Sequence, residues 1–182
     1  MPVTPDPLPP ISRADHARGP ADARFVLVQY ADYECPFARQ VHEIVRDVRA
    51  RFPEGVRHVV RHFPVRYHPH ALGAAMAAEA VASGAGEGAF WAFHDRLFAH
   101  PLALSAGELP AHAEAVGASP EAVREALASG AHRTAVLAQK RGGVRAGVRS
   151  SMNLWIGGAL YEDDDLEEAL VRKVVGPLKA SG

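Results

Sequence analysis

The chain has 182 residues, of which 48% are hydrophobic and 23% are charged. These proportions are typical of a folded globular protein and exclude an intrinsically disordered one. The net charge of −1 gives no electrostatic reason to expect a nucleic-acid or anionic membrane partner. The single cysteine, Cys35, excludes an intramolecular disulfide and any metal or iron–sulfur site built only from the cysteines of one chain.

The N-terminal residues lack the features of a targeting segment. Residues 1–10 contain five prolines and no apolar run, whereas a secretory signal needs one. No stretch of the sequence approaches the roughly 18 consecutive apolar residues of a membrane helix. We therefore expect a cytoplasmic protein with no membrane partner. Residues 1–22 also show no hydrophobic periodicity, which predicts an irregular, loosely attached leader.

The first predicted element is a strand that leads directly to the cysteine. Residues 25–30 form a short apolar run with β-branched and aromatic side chains, which is typical of a strand buried on both faces. Apolar residues then recur every three or four positions from Phe37 to Phe52, which predicts a helix with one apolar face. Pro36 suits the first turn of that helix, where its missing N–H costs nothing. Cys35 is therefore predicted to lie at a helix N-terminus.

A second strand and a block of helices follow. Residues 56–63 predict a strand, and the order strand, helix, strand implies a right-handed parallel crossover. Helices are predicted over residues 70–83 and 90–98, after the capping patterns at Ser105 and Ser119, and over residues 132–141. We expect four aromatic side chains to fill the helical core rather than to hold a cofactor: Phe90, Trp91, Phe93 and Phe98.

A hairpin and a last helix complete the predicted order. Residues 154–156 and 159–161 have strand character on either side of a Gly157-Gly158 turn. The acidic residues 163–165 are predicted to begin a helix that continues to Val174. Strand, helix, strand, helical block, strand, strand and helix together predict an α/β fold.

This order, with a cysteine directly after the first strand, resembles the thioredoxin fold with the helical insertion of the DsbA-like oxidoreductases. Local motifs agree with the resemblance at residues 15–23, 30–37, 61–64, 68–71 and 90–95. The resemblance implies a thioredoxin-like domain built from residues 23–66 and 144–182. It also implies an inserted helical domain over residues 67–143.

Two departures from the family pattern fall at the implied reaction site. The family motif is Cys-x-x-Cys, whereas this chain has Cys35-Pro36-Phe37-Ala38 and lacks the resolving sulfur that releases the substrate. Met152 stands where the family has a cis proline facing the cysteine. Because a cis bond before a non-proline residue costs roughly 2.5–4 kcal/mol, we expect the Ser151–Met152 bond to be trans. The resemblance implies a substrate groove formed by Pro36, Phe37, Ser151 and Met152.

Cys35 is the candidate nucleophile. Amide donors and the dipole at a helix N-terminus stabilise a thiolate. The neighbouring Glu34 carboxylate acts against a thiolate, and Arg39 lies one turn further on. The alternative is an ordinary buried cysteine without catalytic activity. The sequence leaves both interpretations open.

We expect no metal ion and no bound cofactor. His58, His62, His68 and His70 lie in one short region, but no helical His-x-x-x-His pattern accompanies them. The glycines at residues 84–88 neither follow a strand nor have the spacing of a dinucleotide-binding loop. The expected partner is a thiol or a disulfide-bearing small molecule or peptide.

The sequence is compatible with three functions. The first is monothiol exchange by Cys35, completed by an external thiol such as glutathione. The second is a non-catalytic module that binds a peptide or small molecule near Cys35 and Met152. The third is a glutathione-conjugating activity, which the loss of the cis proline disfavours.

Overall fold

A computed structural model describes residues 6–151, 153–161, 168 and 170–180. Its strands form one sheet in the order β1–β3–β2–β4–β5. The strands are β1 (His16–Arg18), β2 (Phe25–Ala31), β3 (Val56–His62), β4 (Leu154–Ile156) and β5 (Ala159–Tyr161). β2 is parallel to β3, whereas β4 pairs antiparallel with β2 and with β5. Helix α1 (Pro36–Arg51) connects the two parallel strands, so the predicted parallel strand–helix–strand order is confirmed.

Strand β1 lies within the segment that was predicted to be irregular, and for these residues the prediction is wrong. β1 pairs antiparallel with the edge of β3. The Asp15 carboxylate also accepts hydrogen bonds from Arg61 Nε at 2.6 Å and from Arg61 Nη2 at 3.1 Å. A three-residue strand carries no periodicity, and it forms here because β3 offers it unpaired backbone groups. The N-terminal segment is therefore attached to the sheet.

The helical block is α2 (Ala71–Ala99), α3 (Leu109–Glu114), α4 (Pro120–Ser129) and α5 (Arg133–Arg145). α2 joins the two helices predicted over 70–83 and 90–98, and Gly86, with φ of 83°, breaks it between them. The predicted cap at Ser119 is confirmed, because its hydroxyl accepts from the Ala122 N–H. At Ser105 the prediction is wrong: the Glu108 carboxylate accepts from the Ser105 N–H and hydroxyl, but α3 begins only at Leu109 and has no side-chain cap.

Helix α5 extends beyond the predicted residues 132–141 and runs through two glycines. A Cβ added at Gly143 would lie 2.5 Å from Cε1 of Tyr30, so the glycine lets α5 pack closely on β2. Close packing against the sheet thus compensates for the low helix propensity of glycine. The C-terminal end of α5 lies at the same end of the sheet as the loop that follows β2, since Val144 and Cys35 line one cleft.

The C-terminal part matches the prediction where it is described. Gly157 and Gly158 have φ of 57° and 88°, as the tight β4–β5 hairpin requires. A turn of π-helix (Val171–Val175) continues into a short helix, α6 (Gly176–Lys179). The predicted start of the last helix at residues 163–165 lies outside the described residues.

Val28 and Val59 contribute to a core cluster on one face of the sheet, whereas two further clusters lie along the opposite face. One cluster packs α1 against the sheet and the C-terminal segment, with Leu27, Val45, Leu154 and Leu170 fully buried. The other joins the sheet to the helical block and includes Tyr33, Cys35 and Ala38. It also contains the four predicted core aromatics, so that prediction is confirmed: Phe90, Trp91, Phe93 and Phe98. None of the helices in the described part of the chain is long and apolar enough to cross a membrane.

Candidate functional site

Cys35 is the residue that begins helix α1, as the sequence predicts. It has extended backbone angles (φ −83°, ψ 121°), its carbonyl accepts from the Arg39 N–H, and Pro36 opens the helix. The thiol makes no capping hydrogen bond to the first turn. Only 8% of the residue is exposed, and Cys35 lines the cleft described below.

The buried Asp32 carboxylate holds the loop before Cys35 in place. Its Oδ1 accepts from the Glu34 N–H at 2.9 Å, and its Oδ2 contacts the Val65 N–H at 2.7 Å and His68 Nδ1 at 2.8 Å. The Cys35 N–H donates to the Asp32 carbonyl. The Asp32 carboxylate therefore joins the loop after β2, which contains Cys35, to the loop after β3.

The Glu34 carboxylate is engaged with another helix rather than left free beside the thiol. Its Oε2 accepts from the N–H groups of His70 and Ala71 at the start of α2, at 2.8 and 3.0 Å. A carboxylate at a helix N-terminus offsets the positive end of the dipole. The sequence left open where the Arg39 side chain points. In the structure its Nε lies 2.9 Å from Glu43 Oε1 on the exposed face of α1. The Glu34 carboxylate and the Arg39 guanidinium are thus both paired with groups other than the Cys35 thiol.

A cleft of about 980 Å³ contains the predicted nucleophile and part of the predicted groove. Cys35, Phe37 and Ser151 all line it. Phe37 is 54% exposed, whereas Ser151 is buried. Pro36 is exposed at the start of α1 and is not among the residues that line this cleft. Met152 and the Ser151–Met152 bond lie outside the described residues, so their predicted geometry stays a prediction.

The loop before β4 is held by its own side chains. The buried Asn153 Oδ1 accepts from the N–H groups of Arg149 and Ser150, at 2.8 and 3.1 Å. The Tyr30 N–H donates to the Asn153 carbonyl at 3.4 Å. Asn153 therefore accepts hydrogen bonds from the backbone of the loop before β4. Its carbonyl also joins this loop, in which Ser151 lines the cleft, to the central strand β2.

Sequence reasoning missed the basic side of the cleft. Four cations line it: Arg66, Lys140, Arg145 and Arg149. They come from the loop after β3, from α5 and from the loop before β4, so they converge only in the fold. Lys140 donates to the Pro64 carbonyl at 2.7 Å, and Arg145 lies 3.7 Å from the Asp6 carboxylate. The side chains that line the cleft thus carry a net positive charge.

The position of the family's resolving cysteine is buried beneath the cleft. Ala38 is fully buried, and its carbonyl accepts from Nε2 of the buried Gln29 at 3.2 Å. The Gln29 Oε1 lies 3.0 Å from Nε2 of His58. The position is therefore tightly packed and carries no sulfur.

The four histidines considered as a metal group do not form one. His58 faces Gln29, His68 contacts Asp32, and His70 lies exposed at the start of α2. His62 instead approaches Glu79 on α2. The buried histidines that come together belong to distant parts of the chain: His16, His42, His58, His62 and His94. Their spacing in the sequence gives no signal of this arrangement.

The fold and the site define a class: a thioredoxin fold with a helical insertion and a cysteine at the start of the first long helix. A family model described as thioredoxin matches residues 12–174. The chain belongs to this family, and the predicted fold class is confirmed.

Solved structures have the same fold. BdbD from Bacillus subtilis, in its oxidised form, has a TM-score of 0.83 and 19% identity, with 97% of this chain and 100% of that chain covered. The thiol-disulfide exchange protein alpha-DsbA2 from Wolbachia pipientis has a TM-score of 0.77 and 17% identity, with 91% and 88% covered. These similarities confirm the DsbA-like form of the fold.

A closer relative in sequence is a much longer protein. The Na(+)/H(+) antiporter NhaA 3 of Salinispora tropica is 41% identical over 129 residues. The match covers 70% of this chain but only 18% of that protein. The chain thus spans less than a fifth of the length of this relative.

Proposed function

We propose that this chain is a monothiol thiol–disulfide oxidoreductase in which Cys35 is the nucleophile and an external thiol such as glutathione supplies the second sulfur. One observation carries the proposal: Cys35 begins α1 and lines the large cleft, while Ala38 fills the position of the resolving cysteine. A chain with one cysteine cannot resolve its own mixed disulfide. A reducing compartment such as the cytoplasm would supply the external thiol.

The reaction balances as two successive exchanges. The Cys35 thiolate attacks the glutathionyl sulfur of a mixed disulfide, the substrate sulfur–sulfur bond breaks, and the substrate leaves as a thiolate that takes up a proton. A second glutathione thiolate then attacks the glutathionyl sulfur on Cys35. Cys35 leaves as a thiolate, and glutathione disulfide is released. One disulfide is consumed and one is formed, so the exchange needs no further oxidant or reductant.

The walls of the cleft suit such a substrate. Glutathione carries two carboxylates, and Arg66 and Arg149 are exposed cations at the cleft. Phe37 and Tyr67 are exposed aromatic residues of the same cleft, 54% and 80% exposed respectively, and could pack against a peptide. A charged and partly apolar cleft beside a single thiol supports a glutathionylated peptide as the substrate.

The test combines trapping with turnover. The full chain is incubated with glutathione disulfide, and mass spectrometry counts the glutathionyl groups bound. Reduction of a glutathionylated peptide is then followed with glutathione as the only reductant. We expect one adduct on Cys35 and turnover that Cys35→Ser abolishes. A matched control combines Cys35→Ser with Ala92→Cys, which places a lone thiol on the exposed face of α2. This control should form an adduct without turnover.

Two outcomes would overturn the proposal. Turnover that survives Cys35→Ser would exclude Cys35 as the nucleophile. An adduct on Cys35 without turnover of any glutathionylated peptide would favour the second candidate, a module that binds a peptide or small molecule without catalysis. The 8% exposure of Cys35 is the observation that keeps this second candidate open.

A further inference from the structure

Three side chains from distant parts of the sequence converge where β1, β3 and α2 meet. His16 comes from β1, His62 from the end of β3, and Glu79 from α2. The His16 Nε2 lies 3.4 Å from Glu79 Oε2, and the His62 Nε2 lies 3.2 Å from Glu79 Oε1. One donor atom from each of the three residues can be chosen so that all lie within 4.8 Å of one another.

The two facing nitrogens are buried, and their close polar contacts are with the Glu79 carboxylate, at 3.4 and 3.2 Å. His62 Nδ1 makes no hydrogen bond, and the His62 side chain is fully buried. An unpaired buried polar group costs about 1–3 kcal/mol, so such groups call for an explanation. A metal ion bound between them and Glu79 would satisfy both Nε2 atoms at once.

We propose that His16, His62 and Glu79 form a binding site for a divalent transition metal ion, with Zn²⁺ as the expected occupant. Donors on a tetrahedral Zn²⁺ with bonds of about 2.0–2.1 Å lie about 3.3 Å apart. The two histidine–carboxylate distances, one to each oxygen of Glu79, are close to this separation. Imidazole donors favour Zn²⁺ over Mg²⁺ and Ca²⁺, which prefer oxygen donors. Water would occupy the fourth position.

Outer contacts orient the donors as in established zinc sites. His16 Nδ1 lies 2.9 Å from Glu87 Oε2, and when the ring is neutral and donates its Nδ1–H in this contact, Nε2 has a lone pair free for a metal ion. Glu87 follows the break at Gly86 and also accepts from the Ala17 N–H and from Trp91 Nε1. The Gln139 side chain donates to Glu79 Oε1 at 3.3 Å. These contacts orient the His16 ring and the Glu79 carboxylate towards the proposed metal position.

The charges also suit a divalent cation. The Glu79 and Glu87 carboxylates would balance the two positive charges of Zn²⁺, which lowers the cost of burying the ion. The second histidine–carboxylate group, His42, His94 and Asp95, is less suitable. Its Asp95 pairs with Arg18 at 2.8 Å, and His94 Nδ1 is hydrogen-bonded to the Tyr33 hydroxyl.

The test measures metal binding by the full chain after treatment with a chelator. We expect one equivalent of Zn²⁺ to bind in a calorimetric or competition titration. Co²⁺ should give the intense visible absorption of a tetrahedral site with nitrogen and oxygen donors. Glu79→Gln, which keeps the shape of the side chain, should weaken binding at least a hundredfold. Glu87→Gln should weaken binding about tenfold to a hundredfold, because it alters an outer contact.

Matched controls separate this site from its neighbours. His42→Gln removes a buried histidine of the other group and should leave the Zn²⁺ affinity unchanged. His62→Gln should abolish binding, and its circular dichroism should match that of the parent chain. The proposal is overturned if the parent chain binds no stoichiometric Zn²⁺. It is equally overturned if His42→Gln removes binding while Glu79→Gln retains it.

Discussion

Acidification should destabilise this protein through histidines that the fold keeps neutral. His42 lies on the buried face of α1 and stacks on Phe98, with ring centroids 4.5 Å apart. Burial lowers the pKa of His42 to about 4, and the Asp95 carboxylate offsets only part of this effect. Burial also lowers the pKa of His58 and His94 well below the ordinary histidine value.

The sign and size of the effect follow from the pKa difference between the two states. Between the ordinary value of 6.5 and about 4, the unfolded chain binds a proton at His42 that the folded protein does not. The free energy of unfolding is therefore unaffected by this group above pH 6.5 and falls as the pH drops towards 4. Each pKa unit corresponds to about 1.4 kcal/mol, so His42 alone accounts for about 3 kcal/mol.

Urea unfolding at pH 7.5 and pH 4.0, in buffer with a chelator, measures this loss directly. We expect His42→Gln to lose about 3 kcal/mol less than the parent chain between the two pH values. His70→Gln is the matched control, because its side chain is exposed at the start of α2, and it should lose as much as the parent. Equal losses in the parent and in His42→Gln would refute the assignment of a neutral, buried His42.

Three further predictions concern the segments around the site. Asp15→Asn should lower the free energy of unfolding by about 3–5 kcal/mol in urea titrations, because it leaves the buried Arg61 guanidinium without its carboxylate partner; an unchanged midpoint would contradict this. Asp32→Ala removes the buried carboxylate that accepts three partly buried hydrogen bonds, so it should lower the free energy of unfolding by about 3 kcal/mol and speed the labelling of Cys35 by a thiol reagent. Ala38→Cys should form a disulfide with Cys35, detectable as the loss of both free thiols, and should add dithiol activity. Two free thiols in air would show that the buried position cannot accommodate the bond.

The local pattern of the sequence was enough for most of the fold. The apolar run at 25–30, the helical spacing from Phe37 to Phe52 and the glycine pair of the hairpin act over a few residues, so they can be identified without tertiary structure. The same holds for Cys35 at the start of α1, since strand, cysteine and proline are adjacent in the chain. β1 was missed because its pairing with β3 is the only feature that makes it a strand.

The contacts of the side chains around Cys35 could not be predicted from local sequence patterns. Whether Glu34 acts on the thiol or caps α2 depends on where a helix that begins at Ala71 lies in space. The basic wall of the cleft brings together side chains as distant in sequence as Arg66 and Arg149. Side-chain direction and long-range contacts decide both features, and neither has a spacing rule.

The sequence by itself determined that the chain has a single thiol, Cys35, that this thiol lies at a helix N-terminus, and that no second thiol of the chain can resolve a mixed disulfide. That result needs only the residue count and local helical pattern. The tertiary structure decided where that sulfur lies and which histidines meet carboxylates, as His16 and His62 do at Glu79. The physical reason is that strand pairing and helix packing bring together residues separated by tens of positions, whereas local propensity acts only along the chain.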